Sequence, residues 1–449
     1  MNTPTRRQLQ RNVPRTLCLS FLQVFMLLMP VIVIFFESRG LALSDVLLLQ
    51  AWFAVLVGVL EVPSGYVADL LGRRGTMIVG GLFLGIGHTW LVFAHGFWPL
   101  AAFEASLAVA FSLISGAGLA LLYDTELALA ESGEHEQKRP GASPERARPR
   151  RPSTGPSPRS QALPPTGGPP QAVRRLFFAR NLSEALAAVL CSVLLLVVSM
   201  DGIAVAQAIC GWLPFLLAFG LVEPPRKRLD TRSHGRNAVL ILRALVLDNR
   251  ILRLTFLALS IWSLTTMYAV WLLQAHWRSQ GVELAHFGYI WGALTLLSAV
   301  AGRYAASLEN RLGTVAMLAF IGIGPVLGYV ALGLTGMVAG VGLSSLFFLC
   351  RGFGLVILRD ALNRRIGSEI RATANSLASF GFRTAFAITA PLVGGALDLW
   401  GLDTTLLLLA AASAGIFLSL ILPLILAAGR SGVEPEGTVV ASVAAPAER

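Results

Sequence analysis

Twelve times along a chain of 449 residues, an apolar run closes between charged, Gly or Pro borders. Each run is about 20 residues long, enough to cross roughly 30 Å of hydrocarbon as a helix. Every peptide group inside hydrocarbon must be hydrogen-bonded within the protein, which leaves helices as the form such runs can take. The expected limits are 16–36, 44–68, 75–95, 98–124, 175–199, 202–222, 252–275, 283–306, 313–335, 337–361, 371–398 and 402–428. Composition agrees: 55% of residues are hydrophobic and 14% charged, where a soluble chain carries about a quarter charged residues. The fold class expected is therefore an all-α integral membrane protein with twelve transmembrane helices.

Charge placement tests this layout independently. If the N-terminus lies inside, the inner segments receive Arg6, Arg7, Arg11 and Arg15, then Arg73 and Arg74, then dense basic sets over 138–180 and 226–253. Arg311, Arg364, Arg365, Arg371 and Arg430 follow on the same side, and only Arg39 and Arg278 fall outside. This asymmetry orients a membrane protein with its arginines in the cytoplasm. It puts both termini inside and accounts for the net charge of +11 without nucleic acid. Two lysines, Lys138 and Lys227, against many arginines suggest a high-GC bacterial genome, so the expected location is a bacterial inner membrane. The basic N-terminal stretch leads into a run too long for a signal-peptide core and reads as the first span. Cys18, Cys191, Cys210 and Cys350 lie in apolar runs without metal-ligand spacing, so no metal or cofactor is expected.

The spans divide six and six around a central cytoplasmic loop, 223–251, which opens with EPPRKR and continues as a possible amphipathic surface helix. Residues 1–222 form the expected N-terminal bundle and 252–428 the C-terminal one, with a cytoplasmic tail at 429–449. The loop 129–172, rich in Pro, Arg, Ser and Gly, has almost nothing to bury and is expected to be disordered. A weak internal repeat accompanies this division. GRYAASLENRLG, Gly302 to Gly313, follows span eight as GYVADLLGRRG, Gly65 to Gly75, follows span two. Gly302 matches Gly65, Ala305 matches Ala68 and Arg311 matches Arg74, while Ala306 stands where Asp69 stands. Six plus six spans with a parallel repeat describe a transporter built from two rocking halves.

GYVADLLGRRG is not a phosphate loop: it follows no strand and has no Gly-Lys-Ser/Thr ending. As a polar turn, its arginines are inner-face anchors and Gly72 a helix terminator, but orientation makes no demand for Asp69. The stretch resembles the Major Facilitator Superfamily signature between spans two and three, G-x-x-x-D-x-x-G-R-R/K, at Gly65, Asp69, Gly72, Arg73 and Arg74. With the twelve spans and the half-repeat, the resemblance covers essentially the whole chain. It implies two pseudo-symmetric six-helix bundles, with Gly65 letting span two pack closely on a second-half helix. Asp69 would lie near the N-terminus of span eleven, where the helix dipole favours an anion. Arg73 and Arg74 would complete a gating network that latches the outward-facing state. EVPSG before the signature, SGAGLALLYD closing span four, and RATANS and APLVGGALDLWG in span eleven resemble an efflux-like, uncharacterised bacterial branch. Glu104 replaces the fourth-span arginine common in relatives, which departs from their proton-antiport network.

Ionisable groups within spans are costly and are functional suspects. Arg351 and Arg383, near the middles of spans ten and eleven, and Glu104 in the outer part of span four are candidates for substrate binding or coupling. Glu61 and Glu184, closer to the inner surface, are expected in structural ion pairs. His88 in span three reads as packing. No His/Asp metal set, Ser-His pair or zinc-protease helix points to an enzyme. The favoured reading is secondary, alternating-access transport: proton-coupled efflux of a small or lipophilic compound. An uptake carrier for a polar or anionic metabolite is the alternative. A receptor or scaffold of the same fold that moves nothing is the reading from another class. The expected partners are the substrate, protons and the lipid bilayer, with the chain acting as a monomer.

Overall fold

The computed structural model describes residues 5–137, 171–224, 249–334, 337–367 and 370–430, with four further positions between 242 and 247. Most of the loop 129–172, most of the central segment 223–251 and the tail from 431 onward lie outside the described residues. No strand occurs among the described residues, and ten helical segments are long and apolar enough to cross a membrane. The chain is an integral membrane protein.

The elements are α1 (Arg6–Gln23), α2 (Ile32–Ser38), α3 (Leu43–Phe93), α4 (Phe97–Gln137), α5 (Gln171–Leu195) and α6 (Met200–Ala218). After the central segment come α7 (Arg250–Ser279), α8 (Leu284–Leu312), α9 (Thr314–Leu334), α10 (Met337–Arg364), α11 (Arg371–Ile416) and α12 (Leu422–Arg430). Helix α4 continues through residues 129–137, so the segment expected to be disordered is helical at its start.

The expected twelve crossings are not all separate helices. Helix α3 holds two crossings, turned at Gly72, whose φ of 81° suits a residue without a Cβ. Its two parts meet the same stretch of α4: Gln50 bonds Glu104, and Phe83 O accepts from Ser106. The chain therefore folds back on itself at Gly72. A second reversal inside α11 falls at Gly401, φ 75°. The first expected crossing is in two pieces. Helix α1 ends at Gln23, and a 3-10 turn, Met29–Val31, leads into α2. Unwound backbone in an apolar interior needs partners, and two buried glutamines supply them. Gln207 of α6 accepts from Leu27 N and donates to Phe25 O, while Gln274 of α7 accepts from Val33 N at 3.0 Å and donates to Met29 O at 2.9 Å.

The two halves share a core at one end only. Leu47, Phe103 and Cys191 of the first half pack in one cluster with Trp277, Phe287 and Phe386 of the second. At the opposite end, where α1 begins, each half keeps its own cluster. Leu19, Met77, Ile114 and Leu121 make one, and Phe256, Met317, Leu358 and Ala378 the other. We call these ends the far face and the terminal face. The two basic residues expected on the far face, Arg39 and Arg278, are both neutralised there, by Asp201 at 2.7 Å and by Glu37 at 2.6 Å.

The structure also sets the register of the repeat. Gly40 and Gly281 end α2 and α7 with φ of 93° and 79° and make the same pair of helix-closing bonds. Gly40 N donates to Glu37 O and Leu41 N to Phe36 O, as Gly281 N does to Arg278 O and Val282 N to Trp277 O. Gly72 and Gly313 turn the chain after spans two and eight with φ of 81° and 87°. Both pairs lie 241 residues apart (281 less 40, 313 less 72), whereas the sequence match of Gly65 with Gly302 is 237 apart. The second half runs one helical turn longer before its reversal, so Asn310 and not Ala306 occupies the position equivalent to Asp69.

Candidate functional site

The charged side chains expected within the spans fall into two cross-half encounters and one isolated carboxyl. In the first encounter, Glu184 of α5 lies within electrostatic reach of Arg351 of α10 and Arg180 of its own helix. No direct salt bridge joins Glu184 to Arg351, and the guanidinium instead approaches Met267 Sδ at 3.8 Å. The Trp291 indole of α8 also faces Glu184, yet among the described residues its N–H has no well-formed hydrogen bond. The hydroxyl of Thr295, one turn further along α8, is likewise buried without a partner. Buried polar atoms cost about 1–3 kcal/mol each when unpaired. A cluster of a carboxylate, two guanidiniums and an indole N–H without a well-formed bond is therefore suited to a polar group from outside the chain.

In the second encounter, Arg383 of α11 faces Glu61 of α3. Its Cδ lies 3.8 Å from the space that a Cβ on Gly58 would take, and its buried Nε has no hydrogen-bond partner among the described residues. In both encounters a first-half carboxylate meets a second-half guanidinium, Glu184 with Arg351 and Glu61 with Arg383. The residues expected to bind substrate and those expected to form structural pairs thus stand opposite one another. Glu104 is apart from both. It is 4% exposed and accepts a 2.8 Å bond from Gln50 Nε2 within its own half. His88 is packed in the same half, against Phe103, with Nδ1 2.9 Å from Leu84 O.

The signature turn is engaged by the first half and by the first residue of the central segment. The Glu223 carboxylate receives bonds from Arg73 N at 2.9 Å and Arg74 N at 2.8 Å. An anion thereby sits on the N-terminus of the helix that Gly72 starts. Its oxygens lie 3.0 Å from where a Cβ on Gly72 would be, so glycine is needed there for space as well as for its φ. The Arg73 side chain reaches Asp124 at 3.6 Å, and Arg74 Nη2 donates to Phe219 O. Gly65 has open space around it, so the close helix approach that the resemblance implies is not made in this conformation. Asp69 lies in the helix, but its side chain is outside the described residues. Replacing Glu223 by Ala removes a helix cap and is expected to cost about 0.5–2 kcal/mol. Thermal unfolding in detergent measures this; an unchanged midpoint would show that the carboxylate contributes nothing.

Glu223 and the three glutamines Gln50, Gln207 and Gln274 were not singled out by the sequence. The signal was there: an amide inside an apolar run is a polar group needing a partner, as an ionisable one is.

No protein-family profile and no curated protein matches the sequence. Solved structures do match, over nearly the whole chain, and they define its class: a helical membrane protein with the Major Facilitator Superfamily fold. A mutant of the nucleoside transporter NupG is similar at TM-score 0.70, with 11% identity, over 92% of this chain and 99% of that one. A POT family transporter crystallised with a thioalcohol-conjugated peptide is similar at 0.62, with 14% identity, over 92% and 96%. A bacterial homologue of the human lysosomal transporter Spinster, inward-facing and unoccupied, is similar at 0.64, with 11% identity, over 94% and 95%.

Proposed function

We propose that the chain is a secondary transporter that moves a small solute by alternating access. The carrying observation is the uneven core: one cluster shared by both halves at the far face, and a separate cluster in each half at the terminal face. A molecule packed in this way is closed on one side and open on the other, and rocking of residues 1–222 against 252–428 exchanges the two. Segment 223–251 joins the halves, and 429–449 is a tail. Because the arginines gather on the terminal face, that face is cytoplasmic in a bacterial inner membrane, and this conformation faces inward. In the outward-facing state, Gly65 and Asp69 close on the start of α11, with Arg73 and Arg74 completing the latch.

Arg351 and Arg383 are the substrate-binding candidates, and Glu104 is the coupling site. A buried carboxyl whose one hydrogen bond comes from a neutral amide can lose its charge and regain it as its surroundings change. Proton-coupled efflux of a small or lipophilic compound remains the preferred direction. Uptake of a polar or anionic metabolite is the second reading, favoured by the Trp291 indole N–H, which shares Glu184 with Arg351 and has no well-formed bond among the described residues. A receptor of the same fold would move nothing. Reconstituted vesicles loaded with nucleosides, short peptides or lipophilic cations decide between these readings, assayed with and without a pH gradient. Saturable flux of at least one solute is expected. In Glu104→Gln, acceleration by the gradient should vanish while solute exchange persists. No flux above protein-free vesicles for any class would favour the receptor, and gradient-driven flux in Glu104→Gln would remove Glu104 from coupling.

A further inference from the structure

In an unbroken α-helix, the N–H of Val33 would donate to the C=O of Met29, four residues back. Between those two groups the structure holds the side-chain amide of Gln274, from the other half. Its Oε1 accepts from Val33 N at 3.0 Å, and its Nε2 donates to Met29 O at 2.9 Å. The amide supplies both halves of the missing helical bond. The local backbone departs from the helix at the same point, with Val31 at φ −125°, ψ 11°. Gln274 itself is fully buried.

Its position adds a second, independent point. Val33 and Gln274 are 241 residues apart, the spacing of the two repeats, so they are equivalent positions that meet each other. Glu37 and Arg278, one turn further out, are joined at 2.6 Å and share that spacing. Equivalent residues touch only beside the axis that relates the halves. These two layers therefore sit where rocking begins, at the far face.

We propose that Gln274 is a gate residue that changes places with a backbone hydrogen bond of the first span; the inference rests on the alternating-access reading. When the far face is shut, the amide holds the span open at Met29–Val33 and ties the halves together. When α7 withdraws, Val33 N–H and Met29 C=O turn to each other and close the helical turn. Met29 O also accepts from Ile32 N, so it is the Val33 N–H that opening would otherwise strand in the apolar interior, at a cost. The gate moves between two satisfied states.

The test uses spin labels on Ser38→Cys and Ser279→Cys, both exposed at the far face, with the four native cysteines replaced by alanine. Amide hydrogen exchange over residues 27–38 is measured alongside. In Gln274→Leu, the ratio of long to short label distances is expected to rise about tenfold, the order set by losing two neutral hydrogen bonds. Protection of Val33 should be kept, because the helix closes. Gln274→Asn keeps an amide but not its reach and should behave alike, which covers a folding failure of the leucine variant. Gln207→Leu, whose partners lie in its own half, should leave the distances unchanged. Glu37→Gln separates the two ideas. If it lengthens the distances and neither Gln274 variant does, the gate role of Gln274 is wrong while alternating access stands. If no variant lengthens them, both fail. Lengthened distances with Val33 freely exchanging would overturn the exchange of bonds.

Discussion

Gly288→Leu is expected to shift the protein away from the conformation described here and to slow solute flux. Gly288 lies on α8 against α5 of the other half. A Cβ there would run into the carbonyl oxygen of Ala188 and come within 2.6 Å of Ser192 Oγ and 3.0 Å of Ser192 N. The first and last of these are backbone atoms, so no change of rotamer relieves the clash, and Ser192 Oγ is held by a 3.0 Å bond from Tyr289 N. The atoms in the way belong to the opposite half, so the strain falls on closure of the far face. Overpacking of this kind costs about 1–3 kcal/mol, which moves a two-state ratio by roughly 5- to 150-fold. Flux measured beside labelling of a far-face cysteine checks it. Wild-type flux with wild-type accessibility would show that the α5–α8 contact is not part of the working cycle. Gly81 offers the contrast, since a Cβ there meets the Phe215 backbone at 2.7 Å within one half. Substituting it should lower stability and leave the ratio of states alone.

Arg351→Met is expected to weaken substrate binding by about ten- to a hundredfold, since a hydrogen bond to a charged group contributes about 1.5–3 kcal/mol. The fold should tolerate the change. The guanidinium makes no direct salt bridge with Glu184, and methionine fits beside Met267, the Arg351 neighbour. The double variant Arg351→Met, Glu184→Gln separates the roles. Removing the carboxylate as well should restore any lost stability and leave binding weak. The readout is the half-saturating concentration for exchange. If it is unchanged in Arg351→Met, the cluster around Trp291 is not where the solute sits.

Much of this was legible in the apolar runs, because the length of a run against the hydrocarbon thickness fixes where helices can start and stop. Depth was legible too, which is why Arg351, Arg383, Glu104, Glu61 and Glu184 stood out. Direction around each helix was not. Nothing in the sequence says that Glu184 turns toward Arg351 or Glu61 toward Arg383. Those facings are set by helix packing between residues more than a hundred positions apart, and they merged two groups of residues the sequence kept separate. The repeat was visible but slipped by one turn. The sequence match rested on Gly302 and Ala305, whereas the geometry is carried by positive-φ glycines at the ends of helices. The broken first span was read as continuous because the groups that complete its backbone bonds come from α6 and α7. The expected latch role of Asp69 concerns a conformation other than this one.

The contacts beside the axis bear on ancestry. Had the chain arisen as two identical copies, each such contact would have set a residue against itself: glutamate on glutamate at 37 and 278, or arginine on arginine, like charges that repel. The pairs present are Glu37 with Arg278 and the Val33 backbone with Gln274, and the first cannot be built from one residue type. A symmetric homodimer of half-length subunits could not make the Glu37–Arg278 pair across its axis. In a single chain the two sides of the axis can differ, and the Glu37–Arg278 pair depends on that difference.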